Sequence, residues 1–129
     1  MDTVIILDFG GQYTHLIARR IRDLNVYSEV FPYDIDFKKI KSIEPKAIIL
    51  SGGPSSVYSE DSLKLSENIY KFIRQNKIPI LGICYGFHLI IHHLGGKIEP
   101  RENKEYGKTL LHVLEHIGLF ELLKDEETV

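Results

Sequence analysis

One cysteine, Cys84, is all that the 129 residues contain. No disulfide can form within the chain, and a reducing cytoplasm is the expected setting. Long apolar runs are also missing. The longest, such as Val4 to Leu7 and Ala47 to Leu50, fall far short of the ~20 residues that a membrane-spanning helix needs. Charge of one sign is missing too. Sixteen Lys and Arg against eighteen Asp and Glu leave a formal net charge of -2, which argues against nucleic acid or an anionic membrane as partner. The six histidines show no paired metal-ligand spacing, so no metal site is expected. Gly52-Gly53 is followed by Pro54 and by no Lys-Ser/Thr, and Asp8-Phe9-Gly10-Gly11 lacks the full dinucleotide fingerprint. Met1-Asp2-Thr3 leads straight into a strand-like run, so no leader peptide is expected.

What remains is ordinary globular composition, 43% hydrophobic and 26% charged, without repeats or a linker. One domain spanning 1–129 is the expectation. Strand and helix signals alternate along it. Thr3 to Asp8 reads as a buried strand, followed by a helix whose inner face would carry Tyr13, Leu16, Ile17, Ile21 and Leu24. Val26 to Tyr33 reads as a strand, Phe37 to Ile43 as a short helix and Lys46 to Leu50 as a third strand. Leu65, Ile69, Phe72 and Ile73 mark the inner face of a second long helix. Ile78 to Ile83 is a fourth strand, Tyr85 to Leu94 a helix stopped by Gly95-Gly96, and Thr109 to Leu114 a further strand. This order predicts an α/β fold, a mostly parallel sheet covered by helices on both faces. In such sheets the sites lie beyond the carboxyl ends of the strands. Three unusual segments should meet there: Asp8 to Gly11, Ser51 to Pro54 and Cys84 to Gly86.

Gly82-Ile83-Cys84-Tyr85-Gly86 stands where a strand should turn directly into a helix. That is the setting of a nucleophile elbow. Its tight turn forces the central residue into a strained backbone conformation. Side chains at Gly82 and Gly86 would collide with the neighbouring helix and strand. A helix N-terminus favours thiolate over thiol, and the thiolate is the form that attacks a carbonyl carbon. The backbone N–H of Tyr85 is placed to point at a developing oxyanion, and an amide from the Gly52-Gly53 turn could supply a second donor. A lone cysteine is ordinarily a small buried apolar residue, and a Gly-Gly-Pro run is ordinarily a tight turn. The flanking glycines favour a nucleophile for the first, and the elbow then lends weight to the second. His88, one helical turn past Cys84, could face the same space, with a substrate-lining role favoured over that of a base.

These segments resemble the class I (triad) glutamine amidotransferases, and within them the GMP synthetase branch. The likeness is carried by Ile6 to Arg20, Ile48 to Val57, Gly82 to Gly86, Leu94-Gly95-Gly96 and Glu105 to Lys108. The resemblance implies a flavodoxin-like amidotransferase fold and hydrolysis of glutamine to glutamate and ammonia through a cysteine thioester. Ammonia would then pass to a synthetase domain or subunit that uses ATP and magnesium to convert XMP to GMP. No cofactor is implied for the amidotransferase part, and a homodimer of the full-length enzyme is allowed. The resemblance makes Cys84 the nucleophile, Gly53 and Tyr85 the oxyanion donors, and Gly52 and His88 the glutamine-binding residues. Two departures stand out. The family has Gln where this chain has His88, and its catalytic His-x-Glu element does not occur after Cys84. The expectation is therefore an incomplete domain, with Val129 the start of a strand cut short, inactive or very slow by itself. Competing readings are a non-catalytic glutamine-binding or regulatory module and an amidotransferase subunit of another biosynthetic enzyme.

Overall fold

The computed structural model describes residues 2–53 and 63–96, and the strands at 110–112 and 126–128. Two compact units divide the chain, residues 1–98 and 99–129. The first is built as β1 (Thr3–Asp8), α1 (Thr14–Asp23), β2 (Tyr27–Pro32), α2 (Phe37–Ile43), β3 (Ala47–Leu50), α3 (Glu67–Gln75), β4 (Ile80–Gly82) and α4 (Tyr85–His93). Its four strands form one parallel sheet in the order β2-β1-β3-β4. The second unit holds β5 (Leu110–His112) and β6 (Glu126–Thr128), paired antiparallel with Leu111 opposite Glu127. Pro54 to Val57, Glu105 to Lys108, Thr109, Val113, Leu114 and Val129 lie outside the described residues.

Alternation along β1 and β3 splits the core between two faces, as period-2 strands require. Ile5, Leu7, Ile48 and Leu50 point to one face and pack with Ile40 of α2, Ile69 and Ile73 of α3, and Tyr85 and Leu89 of α4. Ile6 and Ile49 point to the other and pack with Ala18 of α1, flanked by Ile17 and Ile21. Helices thus cover both faces, and the apolar β-branched strands are explained by burial from two sides. Helix starts follow local chemistry. The Asp36 carboxylate accepts from the Lys38 N–H at 2.9 Å, and the Ser66 hydroxyl caps α3 by accepting from the Ile69 N–H.

The inner face of α1 is not the expected one. Tyr13, Leu16 and Leu24 are exposed, while Thr14 and Ala18 are buried. The buried stripe runs through Thr14, Ile17, Ala18 and Ile21, turned by roughly a fifth of a turn from the purely apolar stripe. The reason is polar. The Thr14 hydroxyl is drawn into a buried hydrogen-bond cluster, and small Ala18 lets β2 approach until the Ser28 hydroxyl donates to the Ala18 carbonyl at 2.9 Å.

Candidate active site

Parallel pairing puts the ends of β1, β3 and β4 side by side. Leu7 is in register with Leu50, and Leu50 with Gly82. The three unusual segments therefore leave the sheet at one edge. Ser51 is tied in by its N–H to the Leu7 carbonyl at 3.1 Å, and Ile83 by its N–H to the Leu50 carbonyl at 2.9 Å.

Between β4 and α4 the chain turns through two residues, Ile83 and Cys84. Cys84 has φ 52° and ψ -112°, positive φ at a non-glycine position. Such a conformation costs about 1–3 kcal/mol and persists only where its surroundings enforce it. Enforcement is visible on every side. The Gly86 N–H donates to the Ile83 carbonyl at 3.0 Å, and the His88 N–H to the Cys84 carbonyl at 3.1 Å. A Cβ on Gly82 would stand 2.6 Å from the backbone of Phe87, and one on Gly86 would stand 2.2 Å from the Leu50 carbonyl oxygen. The collisions anticipated from the glycine spacing are thus with α4 in one case and β3 in the other.

Tyr85 fixes the start of α4 from below. The residue is 2% exposed, its ring packs 5.6 Å from the Phe9 ring, and its hydroxyl donates to the Leu63 carbonyl. Cys84 itself is exposed. Its side chain is therefore available at the sheet edge rather than enclosed in the apolar core, which disposes of the reading of Cys84 as a buried small hydrophobe.

The double-glycine turn stands directly beside the cysteine. A Cβ on Gly52 would be 3.4 Å from the Cys84 Cβ. Gly53 is pressed against the β1 loop, where a Cβ would come within 2.4 Å of the Phe9 carbonyl oxygen. Gly11 meets Gly52 in the same way, 2.4 Å from its carbonyl oxygen. Cys84, Gly52, Gly53 and Tyr85 are therefore assembled in one place. His88 is partly buried, one turn into α4. His15 lines a groove of about 610 Å³ beside β2 together with Arg19, Glu29 and Lys39.

A feature without warning in the motif pattern lies behind the turn. Thr14 and Ser51 are each 1% exposed, and their hydroxyls are 3.1 Å apart. Thr14 Oγ1 also reaches Asp8 Oδ1 at 3.2 Å, and the Phe9 N–H donates to Ser51 Oγ at 3.2 Å. The available signal was two hydroxyl residues flanking glycine pairs at the ends of two adjacent strands. Among the described residues no group of three or more His, Cys, Asp or Glu is placed to share a metal ion, and no helix is long and apolar enough to cross a membrane.

The sequence matches the glutamine amidotransferase class-I family over residues 5–129. It is 50% identical over 120 residues to the GMP synthase [glutamine-hydrolyzing] of Brachyspira hyodysenteriae, covering 93% of this chain and 23% of that protein. It is 50% identical over 129 residues to the enzyme of the same name from Lactobacillus gasseri, covering 99% of this chain and 24% of that protein. The chain thus spans about a quarter of the length of these relatives. Among solved structures, a putative GMP synthase subunit from Thermoplasma acidophilum superposes with a TM-score of 0.83 at 32% identity, over 100% of this chain and 63% of that one.

Proposed function

The chain belongs to the class-I glutamine amidotransferase family, and from that premise we propose that it forms the nucleophile-bearing part of a glutaminase that hydrolyses glutamine through Cys84 and supplies ammonia for the amination of XMP to GMP. The observation that carries this reading is the exposed cysteine at φ 52°, with the Gly52-Gly53 turn packed beside its Cβ.

The Cys84 sulfur attacks the side-chain amide carbon of glutamine. The carbonyl oxygen gains negative charge as the tetrahedral centre forms, and the N–H groups of Gly53 and Tyr85 stabilise it. The C–N bond then breaks, a proton goes to the leaving nitrogen, and ammonia departs. Water cleaves the remaining thioester, so that glutamine and water become glutamate and ammonia. Gly52 lets the substrate approach the bare backbone, and His88 holds the glutamine by hydrogen bonding. A general base must take the thiol proton and return one to the leaving group. The family resemblance assigns this to a His-x-Glu element, a pattern absent after Cys84.

Two relatives are named for GMP synthesis and glutamine hydrolysis, and the structural neighbour is named for one subunit of such an enzyme. These names support ammonia transfer to a synthetase domain or subunit, with ATP and magnesium used there and not at Cys84. A cytoplasmic setting fits the lone unpaired cysteine. Glutaminase assays of the assembled protein test the reading. Cys84→Ala is expected to lose at least about a thousand-fold in kcat. Full activity in that variant would remove Cys84 as the nucleophile, whereas glutamine binding without ammonia release by the wild type would favour the non-catalytic glutamine-binding module.

A further inference from the structure

Glycine residues cannot hold themselves in place, so something else must fix the peptide between Gly52 and Gly53. A trans peptide is planar, and its C=O and N–H point in opposite directions. Fixing the Gly52 carbonyl therefore fixes the Gly53 N–H. The carbonyl is fixed twice. The Ser51 hydroxyl reaches the Gly52 oxygen at 3.3 Å. Gly11 closes the space next to that oxygen, where even a Cβ would intrude to 2.4 Å.

Ser51 is itself held. Its oxygen accepts from the Phe9 N–H at 3.2 Å and from the Thr14 hydroxyl at 3.1 Å. A serine hydroxyl has two acceptor lone pairs and one proton. When the Thr14 proton goes to Ser51, both lone pairs of the Ser51 oxygen are taken and its own proton is left for the Gly52 carbonyl. Thr14 has one proton, which Ser51 Oγ at 3.1 Å, Asp8 Oδ1 at 3.2 Å and the Gly11 carbonyl at 3.3 Å share as alternative acceptors, and that same carboxylate oxygen accepts from the Gly10 N–H at 2.8 Å. The chain of bonds runs from the β1 loop through two buried hydroxyls to the back of the turn beside Cys84.

We propose that Ser51, with Thr14 behind it, is a positioning residue that turns the Gly53 N–H toward the substrate carbonyl. The role rests on the glutaminase reading above and goes beyond it, since neither hydroxyl touches the substrate. Oxyanion donors act in the transition state and contribute little to ground-state binding. Loosening the turn should lower kcat and leave KM nearly unchanged.

The test uses the assembled protein and counts active sites by iodoacetamide labelling of Cys84, a reaction that needs no oxyanion donor. Ser51→Ala is expected to lower kcat per labelled site by about 10- to 100-fold with KM within about 3-fold. Thr14→Val should lower it by about 3- to 10-fold, and Thr14→Ser should restore it. If Ser51→Ala does not fold, the Thr14 pair carries the comparison. With wild type active and Cys84→Ala inactive, kcat per site within 2-fold of wild type in Ser51→Ala, or in Thr14→Val where that pair is used, overturns the inference alone. So does a loss confined to KM. An active Cys84→Ala overturns the glutaminase reading instead, and this role with it.

Discussion

At the N-terminal end of α4, backbone is packed against backbone. Gly82 and Gly86 stand where any Cβ would fall within 2.2–2.6 Å of main-chain atoms in α4 and β3. At the C-terminal end, Gly95 has φ 85° and nothing within 4 Å of where its Cβ would stand. Gly82 and Gly86 are needed for space, and Gly95 for conformation. The ends also differ in what anchors them. Around Cys84 the enforcing contacts are main-chain hydrogen bonds and glycine approaches. Near His93 side chains add to the main-chain hydrogen bonds of the helix end, with the His93 ring stacked 3.7 Å from Tyr70 and Glu67 3.8 Å from its Nδ1. Backbone anchoring suits a strained residue, because main-chain contacts cannot relax by changing rotamer.

Gly86→Ala should break the comparison most severely. The added methyl meets the Leu50 carbonyl oxygen at 2.2 Å, so a loss of about 4 kcal/mol or outright failure to fold is expected in urea unfolding. High pH should act at the opposite end. Burial first, then Glu67 and Tyr85, push the Tyr70 hydroxyl up to about 12. The unfolded tyrosine ionises near 10, so the folded state keeps a proton that the unfolded state has lost. Stability from this group is therefore complete below about pH 10 and declines between about 10 and 12, by at most about 2 kcal/mol once its partial exposure to solvent is allowed for. Thermal melts of wild type and Tyr70→Phe should diverge only in that interval. Cys84→Gly should stabilise the protein by about 1 kcal/mol while abolishing hydrolysis, because it relieves the positive φ, partly offset by greater freedom of the unfolded chain. A variant no more stable than Cys84→Ala would show the elbow to be unstrained. Smallest of the four, Gly95→Ala should cost about 1 kcal/mol with activity unchanged, since it meets only conformational strain.

Much of this contrast was legible in the sequence. Strand and helix periodicity placed the eight elements of the first unit, with Phe37 to Ile43 matched at both ends. Gly82 and Gly86 were readable because only a cramped strand-to-helix turn demands glycine at both second neighbours of a cysteine. The buried face of α1 was not readable. Periodicity ranks residues by apolarity, and here a threonine is buried while Tyr13, Leu16 and Leu24 remain exposed. Thr14 and Ser51 were missed for the same reason. Their value lies in pairing with each other and with the Phe9 N–H across adjacent strands, which is a tertiary relation with no sequence period.

Covalent capture tests the central assignment most directly. A chloroketone analogue of glutamine, incubated with the assembled protein and followed by peptide mapping, should modify Cys84 at one equivalent per chain, and excess glutamine should slow the reaction. An unmodified Cys84 peptide alongside undiminished glutamine hydrolysis would contradict the account, because the carboxamide would then be attacked by some other group.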